Sequence, residues 1–324
     1  MAYVVFILTI LAFSLFAFYI TRKEKRSFQS WGSEKLLRLR LKKGWFHAAE
    51  DSSAFLIEQS VLNEQPYVLP APLNVLAVIE RSMIAGNDCV ILRERGRIRN
   101  TQILYIHGGA YVEHPILPHW FFLDRINNHV QGTITVPIYP KAPVHTVSEV
   151  FNKLIDLYCS ITQENSPAHT ILMGDSAGGG LALSLSQELL LRGIPLPKEL
   201  ILISPWLDIS LRNANIQNLE SKDPMLNRKH LQMMGQAWAG DVSVHDKKVS
   251  PINGPLQGLP PISLFVGTHE IFLPDAQKFK TLCARQGVQL SYFEYAKMNH
   301  DFPLFPIPEA RSAVREIVGI INRK

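Results

Sequence analysis

Polar and apolar positions divide the chain into three stretches. Residues 2–20, AYVVFILTILAFSLFAFYI, are apolar and uncharged throughout, and about 20 such residues at 1.5 Å rise cross a hydrocarbon core of ~30 Å. A basic strip follows, and from about residue 70 short apolar runs alternate with helix-length amphipathic ones. The runs at 101–106, 133–138, 169–173, 199–203, 262–266 and 289–294 predict strands, and the stretches at 146–162, 177–192, 274–286 and 308–322 predict helices. Such alternation implies an α/β fold, a mostly parallel sheet with helices on both faces and ligands at the carboxyl ends of its strands. Residues 210–245 break the rhythm and predict an inserted helical cap, with Met225, Met233, Met234 and Trp238 expected mainly in core packing.

Charge changes the picture only at the N-terminus. The chain carries a formal +5, but residues 21–43 hold nine basic and two acidic side chains, so the remainder carries −2. A nucleic-acid binder needs its basic face on the folded domain, so no nucleic-acid partner is expected. No Lys or Arg precedes the apolar run and no small-x-small site closes it, FAFYITRKEKR following instead; the run therefore predicts an uncleaved anchor rather than a signal peptide. With the positive cluster on its C-terminal side, the chain is expected to be a single-pass protein of the cell membrane, everything after Thr21 lying in the cytoplasm. The stretch Lys35 to Phe46 mixes Leu with Lys and Arg and suits either an anionic lipid surface or a solvated cap helix. The expected division is an anchor at 1–21, basic juxtamembrane and N-terminal cap helices at 22–70, and a catalytic domain at 71–324 containing the 210–245 insertion. Cys89, Cys159 and Cys283 are scattered without a C-x-x-C pair, so neither a disulfide framework nor a zinc knuckle is indicated.

The candidate chemistry lies in three loops after predicted strands. Gly174-Asp175-Ser176-Ala177-Gly178 is a G-x-S-x-G sequence between an apolar run and a helical stretch, the setting in which a serine on a strained turn projects Oγ into a cleft. Upstream, ILYI runs into His107-Gly108-Gly109, where glycines let backbone amides converge on a developing oxyanion. The expected donors are the amides of Gly108, Gly109 and Ala177, with His107 bracing the loop. His300 follows the last predicted strand, after the serine in chain order, and suits a general base. Between them, the loop after ISLFV offers Glu270 and Asp275 as the acid that orients the imidazole. Glu270 lies nearer the strand end and is preferred, while Asp275 falls where a helix begins and has an ordinary role as an N-terminal charge; His269 is expected to be a plain loop residue.

With these residues in place, the chain resembles the hormone-sensitive-lipase-like branch of the α/β-hydrolase esterases, in which an HGG motif precedes a GDSAGG nucleophile elbow. The matching segments are HGGAYV at 107–112, YPKAPVH at 139–145, GDSAGGGLA at 174–182, SPWLD at 204–208 and GTHEIFLPDA at 267–276. The resemblance implies a serine carboxylesterase acting on small ester substrates of short to medium chain length, without cofactor or metal. Ser176 would be the nucleophile, His300 the base and Glu270 the acid, where most members have Asp. It also implies a cap built from N-terminal helices and an insertion after the SPW segment. Asp301 departs from the pattern, standing where the family commonly has Gly. The same machinery would serve a deacetylase, lactonase or amidase, and a non-catalytic binding protein on this fold would be expected to lack a triad member.

Overall fold

The computed structural model describes residues 2–42, 52–71, 73–96 and 100–323. Lys43 to Phe46, the end of the basic amphipathic stretch, lie outside the described residues. Among the described residues three helices come first, α1 (Ala2–Glu24), α2 (Phe28–Lys42) and α3 (Ser52–Asn63). Eight strands follow: β1 (Val78–Ile84), β2 (Asn87–Arg93), β3 (Gln102–Ile106), β4 (Thr133–Pro137), β5 (Thr170–Asp175), β6 (Glu199–Ile203), β7 (Ile262–His269) and β8 (Leu290–Asn299). Among them run α4 (Leu117–Val130), α5 (Val147–Glu164), α6 (Ser176–Leu191), α7 (Arg228–Ala239) and α8 (Leu273–Gln286), and α9 (Pro308–Ile321) closes the chain. The strands form one sheet in the order β1-β2-β4-β3-β5-β6-β7-β8. From β4 to β8 the pairing is parallel, and the β1–β2 hairpin adds antiparallel pairs at one edge.

Alternating strand residues feed two cores, and this is why the central strands read as unbroken apolar runs. Leu104 and Ile106 of β3, with Leu200 and Leu202 of β6, point into the core shared with α5, α6 and α8. Ile103, Tyr105, Ile201 and Ile203 face the opposite side, where α4 and α9 supply Trp120, Phe122, Ile126 and Ile317. Three elements lie outside the expected set. In β1 the hydrophobic alternation is absent, because Glu80, Arg81 and Ser82 of an exposed edge strand need no apolar face. It turns into β2 through Ala85 and Gly86, both at positive φ, as a two-residue hairpin requires. In α4, aromatic residues and Pro118 near its start mask a helix whose apolar side is fully buried.

The N-terminal helices join the body through polar contacts. Glu34 of α2 takes Arg26 at 2.5 Å, Arg38 at 2.8 Å and His269 at 3.3 Å. Ser27 donates to Glu309 of α9 through both its amide and its hydroxyl, and Lys297 pairs with Glu24 at 2.9 Å. His269 is thus a hydrogen-bond partner of α2. α1 is the one helix among the described residues long and apolar enough to cross a membrane, and its side chains are almost entirely exposed. Its Phe13 and Phe16 pack edge-on against Phe28 at the start of α2.

Candidate active site

β5 ends at Asp175 and α6 begins at once, which leaves Ser176 on the corner with φ +51. Two glycines make that corner possible. A Cβ on Gly178 would lie 2.0 Å from the carbonyl oxygen of Ile106, and one on Gly174 would lie 2.4 Å from that of Gly178, so any side chain would force strand and helix apart. The strained serine presents its Oγ to the carboxyl end of the sheet.

Two further loops meet it there. His300, just past β8, places Nε2 2.9 Å from Ser176 Oγ, and its Nδ1 lies 2.9 Å from Glu270 Oε2. Glu270 follows β7 and is fully buried. Its other oxygen accepts from the hydroxyl of Ser204 at 2.9 Å and the amide of Gly267 at 2.6 Å, so a buried carboxylate is held with its lone pairs engaged. The structure thus brings Ser176, His300 and Glu270 into one hydrogen-bonded row. Asp275 stands apart in the first turn of α8, accepting from Asn213 at 2.9 Å, and burial pushes its carboxyl up to about 6. Burial alone would pull the imidazole of His300 down, yet the adjacent carboxylates of Asp301 and Glu270 outweigh it and hold the ring well above its ordinary range.

The glycine loop differs from the sequence expectation at one amide. Gly108 N–H donates to Asp175 Oδ1 at 2.9 Å, so it points away from the cleft and is not free for an oxyanion. Asp175 also accepts from the hydroxyl of Tyr105 and pairs with His119 at 3.2 Å, the whole group being buried. Burial would raise this carboxyl, but His119 and Tyr105 overcome that and lower it, so Asp175 is a fixed anion tying the glycine loop to the elbow. The next two residues turn into the cleft, with Gly109 at φ +108 and Ala110 at φ +51. Among the described residues their amides meet no acceptor, and both residues line the cavity beside Ser176. Ala110 lacks the glycine signature, so the sequence gives no sign that its amide faces the cleft. His107 braces the loop, its ring stacked on Tyr139 at 4.5 Å and its carbonyl accepting from the Tyr139 hydroxyl.

The cavity over this row has a volume of about 150 Å3. Its apolar wall comes from Met225, Leu226, Leu231 and Met234, on and just before α7. Of the four residues expected in core packing, Met225 is cavity wall, Met234 lines the cavity from within the core, and Trp238 is core, stacked on Tyr111 at 4.7 Å. Among the described residues no cluster of side chains suited to a metal ion occurs.

A family model for the α/β-hydrolase fold matches residues 103–304, from β3 through the loop that carries His300. The chain belongs to the α/β hydrolases. An esterase from Acinetobacter venetianus is 32% identical over 219 residues, which covers 66% of this chain and 72% of that one. A crystal structure of a Staphylococcus aureus protein, provisionally named an esterase, superposes with a TM-score of 0.82 at 33% identity, covering 85% of this chain and 93% of that one. An esterase of the bacterial hormone-sensitive lipase family superposes at 0.73 with 26% identity, covering 81% and 88%. Within the α/β hydrolases the chain falls in this hormone-sensitive-lipase-like esterase branch.

Proposed function

We propose that this α/β hydrolase is a serine carboxylesterase for esters of short- to medium-chain acids. The carrying observation is the row in which one imidazole lies 2.9 Å from a serine hydroxyl and 2.9 Å from a buried carboxylate. In this reading His300 Nε2 takes the proton of Ser176 as Oγ attacks the carbonyl carbon, and Glu270 fixes the ring and stabilises the imidazolium. The amides of Gly109, Ala110 and Ala177 receive the oxyanion, with Ala110 replacing Gly108 among the expected donors. The imidazolium then protonates the leaving alcohol, and a water activated by the same nitrogen releases the acid. Esterase names among the relatives support the ester over the amide or lactone alternatives, and acetyl-hydrolase names among them keep acetyl groups within the expected range of acyl substrates.

Cavity size sets the expected chain length. A space of about 150 Å3 takes up a molecule of benzene's size, so it accommodates about six carbon atoms. On p-nitrophenyl esters, turnover by the full chain in detergent is expected to peak at butyrate to hexanoate and fall steeply beyond octanoate. Palmitate cleaved as fast as butyrate would overturn the size assignment, and no turnover of any ester by folded protein would overturn the esterase.

We further infer that α1 anchors the enzyme in the cell membrane as a single pass, with the catalytic domain in the cytoplasm and the basic residues that follow α1 near the lipid headgroups. The apolarity of α1 supports the span, and the run Arg22, Lys23, Lys25, Arg26 supports the orientation. Pairing of Glu24 with Lys297 favours a helix retained in the mature protein. In a bacterial host, a reporter that works only in the periplasm should stay silent when fused after residue 324; a strong signal would reverse the orientation.

A further inference from the structure

His300 Nε2 has a second partner besides Ser176. Asp301 Oδ2 lies 3.1 Å from the same nitrogen, and both residues line the cavity. The αL backbone of Asp301, φ +51, turns its carboxylate back toward the ring that precedes it, and its amide is fixed by donation to Ser204 Oγ at 3.1 Å. Ser204 Oγ in turn donates to Glu270, so one hydroxyl locks the positions of both carboxylates that flank the imidazole. The other oxygen of Asp301, Oδ1, is buried with no hydrogen-bond partner among the described residues. A carboxylate solvated so poorly holds its charge badly and gains from a proton nearby.

On the reading of His300 as the general base, we propose that Asp301 is a further catalytic residue, one that holds a shared proton on His300 Nε2 and keeps that nitrogen from Ser176 until the proton leaves. With the proton in place the pair is either imidazolium and carboxylate or imidazole and carboxylic acid. In both forms the Nε2 lone pair is occupied and cannot accept from the serine hydroxyl. When the proton passes to water in the cavity, Nε2 is free to take the Ser176 proton, and the Asp301 carboxylate now stabilises the imidazolium that forms. The enzyme is thereby silenced on the acid side and assisted on the alkaline side.

The surroundings agree with this sharing. Burial pushes the Asp301 carboxyl up to about 7, reinforced by the charges of Asp175 and Glu270 and opposed by His300. Across the site, His119 of α4 and Tyr105 of β3 also feel the charge of Asp301. Asp223 of the cap segment, itself pushed up to about 6 by burial, interacts with His300. Of these groups, only Glu270 and Asp301 have an oxygen within 3.5 Å of a His300 ring nitrogen, and only Asp301 meets the nitrogen that must act.

The test is kcat/KM for methyl butyrate against pH, on the full chain in detergent, with released butyrate quantified by chromatography so that the readout is independent of pH. Asp301→Gly suits the αL backbone, and Asp301→Asn keeps the shape without a titrating proton. The acid limb of this profile reports the free enzyme's base. In both variants its midpoint should move down by about one pH unit or more, while the alkaline plateau falls, so that wild type and variant curves cross. A midpoint unmoved or raised in either folded variant overturns the proposal, however much the plateau drops, because a merely structural role lowers the rate at every pH. Ser176→Ala and His300→Ala in the same assay separate the two levels: full activity in either would remove the base itself rather than the role of Asp301.

Discussion

Replacing Ser176 or His300 by Ala should lower kcat on p-nitrophenyl butyrate by about 10⁶-fold, and replacing both should cost little more than either alone, as in triads whose members act as one unit. Each residue supplies half of one event, the transfer of a proton across the 2.9 Å between Oγ and Nε2, so removing either partner removes the whole step. The loss should be chemical and not a loss of fold. Ser176→Ala keeps a residue with a Cβ at the same strained φ. His300→Ala leaves Glu270 still accepting from Ser204 and Gly267, and Asp301, whose carboxyl burial already pushes up to about 7, can shed its charge by taking a proton. A small residual rate over uncatalysed hydrolysis is expected from the free amides of Gly109 and Ala110, which do not depend on either side chain. Either variant within 100-fold of wild type, with an unchanged melting temperature, would remove the serine mechanism.

How far the structure is legible in the sequence depends on what holds each element. The central strands β3, β5 and β6 are readable because both of their faces are covered, and Leu200 to Ile203 is apolar without interruption for that reason. β1 is unreadable on the same physics: an edge strand with one covered side at most carries no hydrophobic signature. The site divides in the same way. Ser176, Glu270 and His300 are local to three strand ends, and their order along the chain suffices to nominate them. Which amides of the 107–110 loop face the cleft is a different matter, because that choice is made by a carboxylate 67 residues away, where Asp175 takes the amide of Gly108. The close approach of Asp301 to Nε2 is likewise a consequence of one backbone angle. The sequence carries only its trace, an Asp at a position that the resemblance fills with Gly.

Glu270→Ala should lower kcat by about 10⁴-fold, while Asp275→Asn should leave it within about threefold. The two carboxylates lie five residues apart at the same end of β7, and both are buried, yet only Glu270 reaches His300 Nδ1. Without it the ring loses the partner that fixes its tautomer and turns Nε2 toward Ser176, and the imidazolium loses its nearest countercharge on that side. The loss stays below that of Ser176 or His300 because the base itself remains. Asp275 acts on the fold instead, and with a definite sign. Its carboxyl is raised in the folded protein to about 6 from about 3.9 in an unfolded chain. Its contribution to stability is therefore fully present below pH ~4 and is lost as pH rises through about 6. Asp275→Asn keeps an oxygen to accept from Asn213 and has no charge to bury, so its melting temperature should gain on wild type between pH 4 and 7. Equal rate losses in the two variants would remove the assignment of the acid to Glu270, and a larger loss in Asp275→Asn would transfer it to Asp275.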